Sequence, residues 1–362
     1  MSALTLLDRG LLPDWLVRLG IRRLLRRRLR EEAHDSPQAR EAHMERYVQS
    51  LRASPIAVNT RDANEQHYEV PAAFFEQVLG KQMKYSSGLW VEGVDNLDEA
   101  EDTMLALTVE RAGIEDGFDI LELGCGWGSL TLYMAARFPD SRIMAVSNSS
   151  GQRRHIESVC AARGLTNVEV VTRDINDFET TRRFDRVVSV EMLEHVRNYE
   201  AVMRQIRRWL KPEGAFFTHI FVHKTHAYPF ETEGDANWLG RHFFTGGQMP
   251  SADLLLRFQD DLEIVREWEV NGQHYARTAR AWLRNLDAHR AELTAMLARD
   301  QGDVAADVMI RRWRVFFMAC EELWGYAGGT EWYVHHYLFR PRVATAAPGA
   351  MWPPTAEDSS AR

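Results

Sequence analysis

The run Ile120-Leu-Glu-Leu-Gly-Cys-Gly-Trp-Gly-Ser129 constrains this 362-residue chain more than any other stretch. A short apolar strand ends there beside an acid, and glycines follow at Gly124, Gly126 and Gly128. Glycine lets a backbone turn sharply at a strand end and approach a ligand closely, where a Cβ would intrude. In a dinucleotide fingerprint the third glycine comes three positions after the second and brings a helix N-terminus to a pyrophosphate. Here Ser129 stands at that place. Glu122 suits a cationic methionine moiety better than a pyrophosphate, so the motif points to S-adenosylmethionine rather than a dinucleotide. A strand-to-helix corner that binds nothing is the plain alternative for the triplet alone.

Beyond the triplet, apolar strand-like runs alternate with helical patterns, the order of a parallel sheet with crossover helices. Strands are expected at Phe118–Leu123, Arg142–Ser147, Val168–Asp174, Phe184–Val190 and Ala215–Val222. Helices are expected at Gly128–Phe138, Gly151–Arg163 and Tyr199–Leu210, the last closed by Lys211-Pro-Glu-Gly214. Ligands of such sheets sit beyond the carboxyl ends of the strands. That rule selects the three glycines, Ser147 and Asn148, Asp174 and Ile175, and the group Glu191, Glu194 and His195.

A hydrophobic content of 45% is ample for a large core with attachments. No apolar run approaches the roughly 20 residues of a membrane span, and no secretory signal is evident. Cys125, Cys160 and Cys320 form neither a disulfide framework nor a metal-ligand spacing, which suits a cytoplasmic location. A net charge of −8 argues against general nucleic-acid binding. Residues 15–30 run against that trend: Leu16, Leu19, Leu24 and Leu25 fall near helical spacing among Arg22, Arg23, Arg26, Arg27, Arg28 and Arg30. Such a helix either caps the main domain, leucines in and arginines solvated, or lies peripherally on an anionic membrane. From Pro341 onward the Ala, Pro, Thr and Ser content reads as a flexible tail.

A family resemblance spans about residues 64–339. It is carried by His67-Tyr-Glu-Val-Pro71 with Phe74-Phe75, Lys84-Tyr-Ser-Ser87, the glycine motif, Glu191-Met-Leu-Glu-His195, Phe258-Gln-Asp-Asp261 and Glu331-Trp332. The chain resembles the cyclopropane-fatty-acid-synthase superfamily of S-adenosylmethionine-dependent methyltransferases, and within it the coclaurine N-methyltransferase-like branch. The resemblance implies a class I α/β fold with a mostly parallel seven-stranded sheet. It also implies an N-terminal helical segment (1–60), a helical cap (61–115) and a Rossmann-like domain (116–340) with acceptor-covering insertions at about 223–262 and 275–328. By the same resemblance Tyr85 and Ser86 close over the methionine end, and the backbone at Gly124, Gly126 and Gly128 holds its carboxylate and amino group. Ser147, Asn148 and Gln152 meet ribose and adenine, while Asp174 and Ile175 flank the adenine ring. Ser147, Asn148 and Asp174 are otherwise ordinary loop and capping residues.

Two carboxylates and an imidazole just past a strand end, Glu191, Glu194 and His195, can hold and deprotonate a polar acceptor. At the same spacing they equally fit a solvated helix face. For an amine, the carboxylates orient the nitrogen and His195 or a carboxylate takes its proton. The rival within the superfamily is cyclopropane formation or methyl branching on unsaturated acyl phospholipids, which uses a bound bicarbonate. The lipid enzymes' bicarbonate site has a cysteine where this chain has Ser87. Its glutamate, histidine and tyrosine match Glu194, His219 and Tyr275, whereas Glu191 replaces a small residue and resembles the N-methyltransferases. His219, His223 and His226 do not converge on a metal at strand spacing. Of the C-terminal aromatics, Trp324 and Trp332 are expected to reach the acceptor pocket. A non-enzymatic cofactor sensor or membrane scaffold is the remaining alternative, and oligomeric state is not legible.

Overall fold

Strands covered by helices on both faces are apolar nearly throughout, and five such strands form the core of the computed structural model, which describes residues 3–58, 70–234 and 237–342. They are β1 (Asp119–Leu123), β2 (Arg142–Ser147), β3 (Val168–Thr172), β4 (Phe184–Val190) and β5 (Leu210–His223). A short ribbon pairs β6 (Tyr228–Pro229) with β7 (Gln248–Met249), after which β8 (Leu262–Val270) and β9 (Trp332–Pro341) rejoin the main sheet. The seven-stranded order is β3-β2-β1-β4-β5-β9-β8, parallel from β3 to β5 and antiparallel at β9 and β8. Its reversal point lies between β1 and β4, which places a ligand crevice at their carboxyl ends.

Local chemistry sets the helix ends. Asn96, Ser149 and Asn198 accept backbone N–H groups at three N-termini, and Gly113 and Gly164 close two C-termini in the left-handed region. Helix Tyr199–Trp209 buries Tyr199, Val202, Met203, Ile206 and Trp209, a stripe at helical period. Two expected boundaries move by more than one residue. β5 begins at Leu210 rather than Ala215, because Leu210 pairs with Phe184 across an irregularity and Lys211 is drawn in by Asp119 (3.0 Å) and Asp185 (2.6 Å). β3 stops at Thr172, leaving Asp174 in the following loop.

The basic N-terminal segment forms helix Asp14–Glu31, which lies along helix Asp303–Trp324. The packed row is Val17, Ile21, Leu25 and Leu29, at i, i+4 spacing. Leu16, Leu19 and Leu24 fall off that row and stay 37%, 49% and 42% exposed, so of the four expected leucines only Leu25 packs in it. Nor are all the arginines left to solvent. Arg18 reaches Glu321 (2.7 Å) and Glu322 (3.0 Å), and Arg22 reaches Glu322 (2.5 Å). Of the expected segments, residues 59–69, including His67, Tyr68 and Glu69, and the tail from 343 lie outside the described residues. Among the described residues no helix is long and apolar enough to cross a membrane.

Candidate active site

A cavity of about 940 Å³ opens at the carboxyl ends of β1, β2 and β4. One chamber is lined by Tyr85, Ser86, Glu122, Gly124, Gly126, Ser147, Asn148, Gln152, Asp174 and Ile175. A Cβ on Gly126 would meet nothing within 4 Å, so its backbone faces open space at a φ of +52°. Gly128 does not line the cavity: its Cβ would strike Ile156 at 2.6 Å, making it a packing glycine under the loop. The Ser147 hydroxyl donates to Gln152 Oε1 (2.6 Å) and accepts from the Ser149 N–H (3.0 Å), tying the end of β2 to the next helix. Asp174 accepts from the backbone and side chain of Asn176 (2.9 and 2.8 Å), which fixes its loop. Glu122 accepts from Thr131, and burial pushes its carboxyl up to about 8. An open backbone corner bordered by carboxyl groups, an aliphatic side chain and small polar groups fits S-adenosylmethionine.

Glu191 stands where this chamber meets the second. Burial pushes its carboxyl up to about 7, against the pull of the Lys84 ammonium. Two donors converge on it, the Ser87 N–H (3.2 Å) on Oε1 and the Tyr275 hydroxyl (2.6 Å) on Oε2, and His219 Nε2 lies 3.2 Å from Oε1. Hydrogen bonds to the charged form favour the anion, so Glu191 presents a fixed carboxylate to the cavity. Glu194 does not line the cavity. It is fully buried, its Oε1 accepts from the Phe221 N–H (2.8 Å), and burial followed by the charge of Glu191 pushes it well above the usual carboxyl range. Of the two carboxyl groups, Glu191 has the donors and the nearby ammonium that favour its anion, whereas burial and the charge of Glu191 hold Glu194 further up. His195 lines the cavity near Phe244, and burial lowers it to about 4, a neutral imidazole.

The second chamber is aromatic. Tyr275 and Trp324 stack at 4.7 Å and 2°, Phe221 packs on Trp324 at 5.4 Å, and Phe244, Trp282 and Phe316 complete the wall. Leu16, Leu19 and Leu24 of the N-terminal helix also line the cavity. Trp332 is not part of this wall; it is fully buried and donates to the Tyr228 hydroxyl (3.0 Å) from behind. His219 likewise sits behind Glu191 rather than on the surface of the pocket. His223 meets Glu331 (3.1 Å) and the His226 ring, away from His219's partners. Lys84 entered the sequence reading only as part of the Lys84-Tyr-Ser-Ser87 motif, with no role assigned: it lines the cavity and donates to Ser86 and to the Ser87 carbonyl (2.8 Å). Its place beside the Tyr-Ser-Ser motif was the available signal.

The sheet, the glycine corner and a cavity at the strand ends define a class I S-adenosylmethionine-dependent methyltransferase. The family model for mycolic acid cyclopropane synthetase matches residues 57–327, and the chain belongs to that family. It is 37% identical over 340 residues to (S)-coclaurine N-methyltransferase of Thalictrum flavum subsp. glaucum, covering 93% of this chain and 94% of the relative. A crystal structure of coclaurine N-methyltransferase bound to N-methylheliamine and S-adenosylhomocysteine superposes with a TM-score of 0.90 at 37% identity, covering 93% of this chain and 98% of that one. The mycolic acid cyclopropane synthase CmaA1, with S-adenosylhomocysteine, shares the fold at 18% identity and a TM-score of 0.66, over 79% of this chain and 99% of that one.

Proposed function

We propose that the chain methylates the nitrogen of a small-molecule amine, and that Glu191 carries the reaction. The supporting observation is the niche formed by the Ser87 N–H, His219 and Tyr275. Two of these, His219 and Tyr275, are groups the resemblance assigned to bicarbonate in lipid-modifying relatives. The Glu191 carboxylate fills that niche, while Glu194 lies outside the cavity, with Oε1 on the Phe221 N–H and Oε2 buried without a hydrogen-bond partner among the described residues. The residues present therefore do not fit a bicarbonate ion, and the acyl-lipid reading loses its proton acceptor.

When bound, S-adenosylmethionine supplies a methyl group already activated by its sulfonium. The protein aligns the acceptor nitrogen, excludes water and accepts a proton. Glu191 orients the nitrogen through a charge-assisted hydrogen bond, while the faces of Tyr275 and Trp324 favour a cationic or aromatic acceptor. A base works best with a pKa near the operating pH, so Glu191, at about 7, takes the N–H proton, while His195, at about 4, remains neutral beside it. Tyr85, Ser86 and the backbone at Gly124 and Gly126 hold the donor's methionine end, Ser147, Asn148 and Gln152 the ribose and adenine, and Asp174 and Ile175 the ring edge. Three buried free cysteines suit a reducing cytoplasm, and exposed Trp15 and Leu19 suit peripheral contact with an anionic membrane.

Incubation with methyl-labelled S-adenosylmethionine and separate amine and phospholipid fractions, read by mass spectrometry, tests the reading. Label on nitrogen supports it; a methylene bridge or methyl branch in acyl chains overturns it.

A further inference from the structure

Antiparallel register sets His219 of β5 directly opposite His336 of β9, and His336 opposite Trp268 of β8. Directly paired residues share one face of a sheet. Helix Leu97–Ala112 crosses that face and lays the half-buried Arg111 guanidinium over the Trp268 ring at 5.0 Å. Arg111 Nη1 then meets His336 Nδ1 at 2.8 Å, His336 Nε2 meets His219 Nδ1 at 2.9 Å, and His219 Nε2 meets Glu191 Oε1 at 3.2 Å. Both imidazoles are fully buried.

The direction of every bond follows from the first. A guanidinium has donors only, so His336 Nδ1 must offer a lone pair. A neutral imidazole carries one proton, which then sits on His336 Nε2 and is donated to His219 Nδ1. That leaves the His219 proton on Nε2, aimed at Glu191. Burial drives both rings well below the ordinary histidine range, consistent with a single proton on each. We infer that Arg111 and His336 are positioning residues that lock the tautomer of His219, so that Glu191 is held as an oriented anion from three links away. This inference rests on the assignment of Glu191 to the reaction.

The far end of the chain also settles what it does not do. Arg111 cannot accept a proton, so protons taken up at Glu191 do not leave by this route. If Arg111 is lost, both rings are free to reverse and place the His219 lone pair against the carboxylate. A hydrogen bond to a charged group is then exchanged for a repulsion, worth about tenfold to a hundredfold in rate.

The experiment uses the full chain, labelled with ¹⁵N-histidine and saturated with S-adenosylhomocysteine, with signals assigned through His336→Gln. Both His219 and His336 should appear as neutral Nε2–H tautomers; His219 in the Nδ1–H form overturns the inference. This readout needs no turnover, so it stands apart from the N-methylation assay, whose failure would remove the functional reading instead. For variants, Arg111→Met should lower kcat about tenfold or more while the KM for S-adenosylmethionine stays within about twofold, and Arg111→Lys, which keeps a donor, should recover most of the loss. A folded Arg111→Met protein with unchanged kcat also overturns it. If that variant does not fold, the tautomers of the unaltered protein decide.

Discussion

Glu191 adopts a φ of +48°, in the left-handed region that side-chain-bearing residues rarely enter. The strain persists because the backbone is pinned by the Glu191 N–H to the His219 carbonyl (2.8 Å) and the carboxylate by its three partners. Strained residues of this kind gather at functional sites. Replacing the acid with Glu191→Gln keeps the shape but sets an amide donor among donors already committed. Such a change should lower kcat/KM by about a hundredfold or more, while isothermal titration still detects S-adenosylhomocysteine. The same residue gives the pH dependence. Its carboxyl is raised to about 7 by burial, and the anion is the working form. Activity is therefore lost as pH falls below about 7 and gained as pH rises through it. A pH–rate profile should show that acid limb in the native protein and lack it in Glu191→Gln; an unchanged limb assigns it to another group.

At the scale of elements, the parallel strands were legible because each is a bounded apolar run between helical patterns. β8 and β9 were expected only through the family resemblance, since β9 inserts between β5 and β8 from more than a hundred residues away. No local pattern reports such a pairing. The same separation hid Arg111 and His336, which meet from distant parts of the chain, whereas Glu191 and His195 stood at a strand end where position alone marks them. The N-terminal helix shows a different limit. Its leucines and arginines were visible, but which row faces inward is set by Glu321 and Glu322 of helix Asp303–Trp324, where Arg18, Arg22 and Arg280 converge. Partly exposed ion pairs contribute modestly. The double change Glu321→Gln with Glu322→Gln should cost about 1 kcal/mol of stability in urea titrations. Because Leu16, Leu19 and Leu24 line the cavity, and the donor is held by the strand ends, it should also raise the KM of the acceptor more than that of the donor. Equal shifts in both constants count against a covering role for the helix.

For the whole molecule, one fold serves relatives named for amine and for lipid products, so the difference has to lie in what occupies the common cavity. In this chain the carboxylate at the centre belongs to the protein. Glu191→Gly removes it and leaves the Ser87 N–H, His219 and Tyr275 pointing at a space the size of a small carboxylate. The substitution is favourable for the backbone, because glycine adopts the +48° φ without strain. Glu191→Gly should therefore fold, lose N-methylation, and regain part of it when formate, acetate or bicarbonate is added, with the rescue saturating in the added anion. The unaltered protein, whose niche is already filled, should not respond to bicarbonate. Rates measured across a series of anions, in buffer stripped of carbon dioxide, test both statements. A native enzyme accelerated by bicarbonate, or a folded Glu191→Gly protein that no small carboxylate rescues, would mean that the Glu191 carboxylate is not the anion on which this site depends.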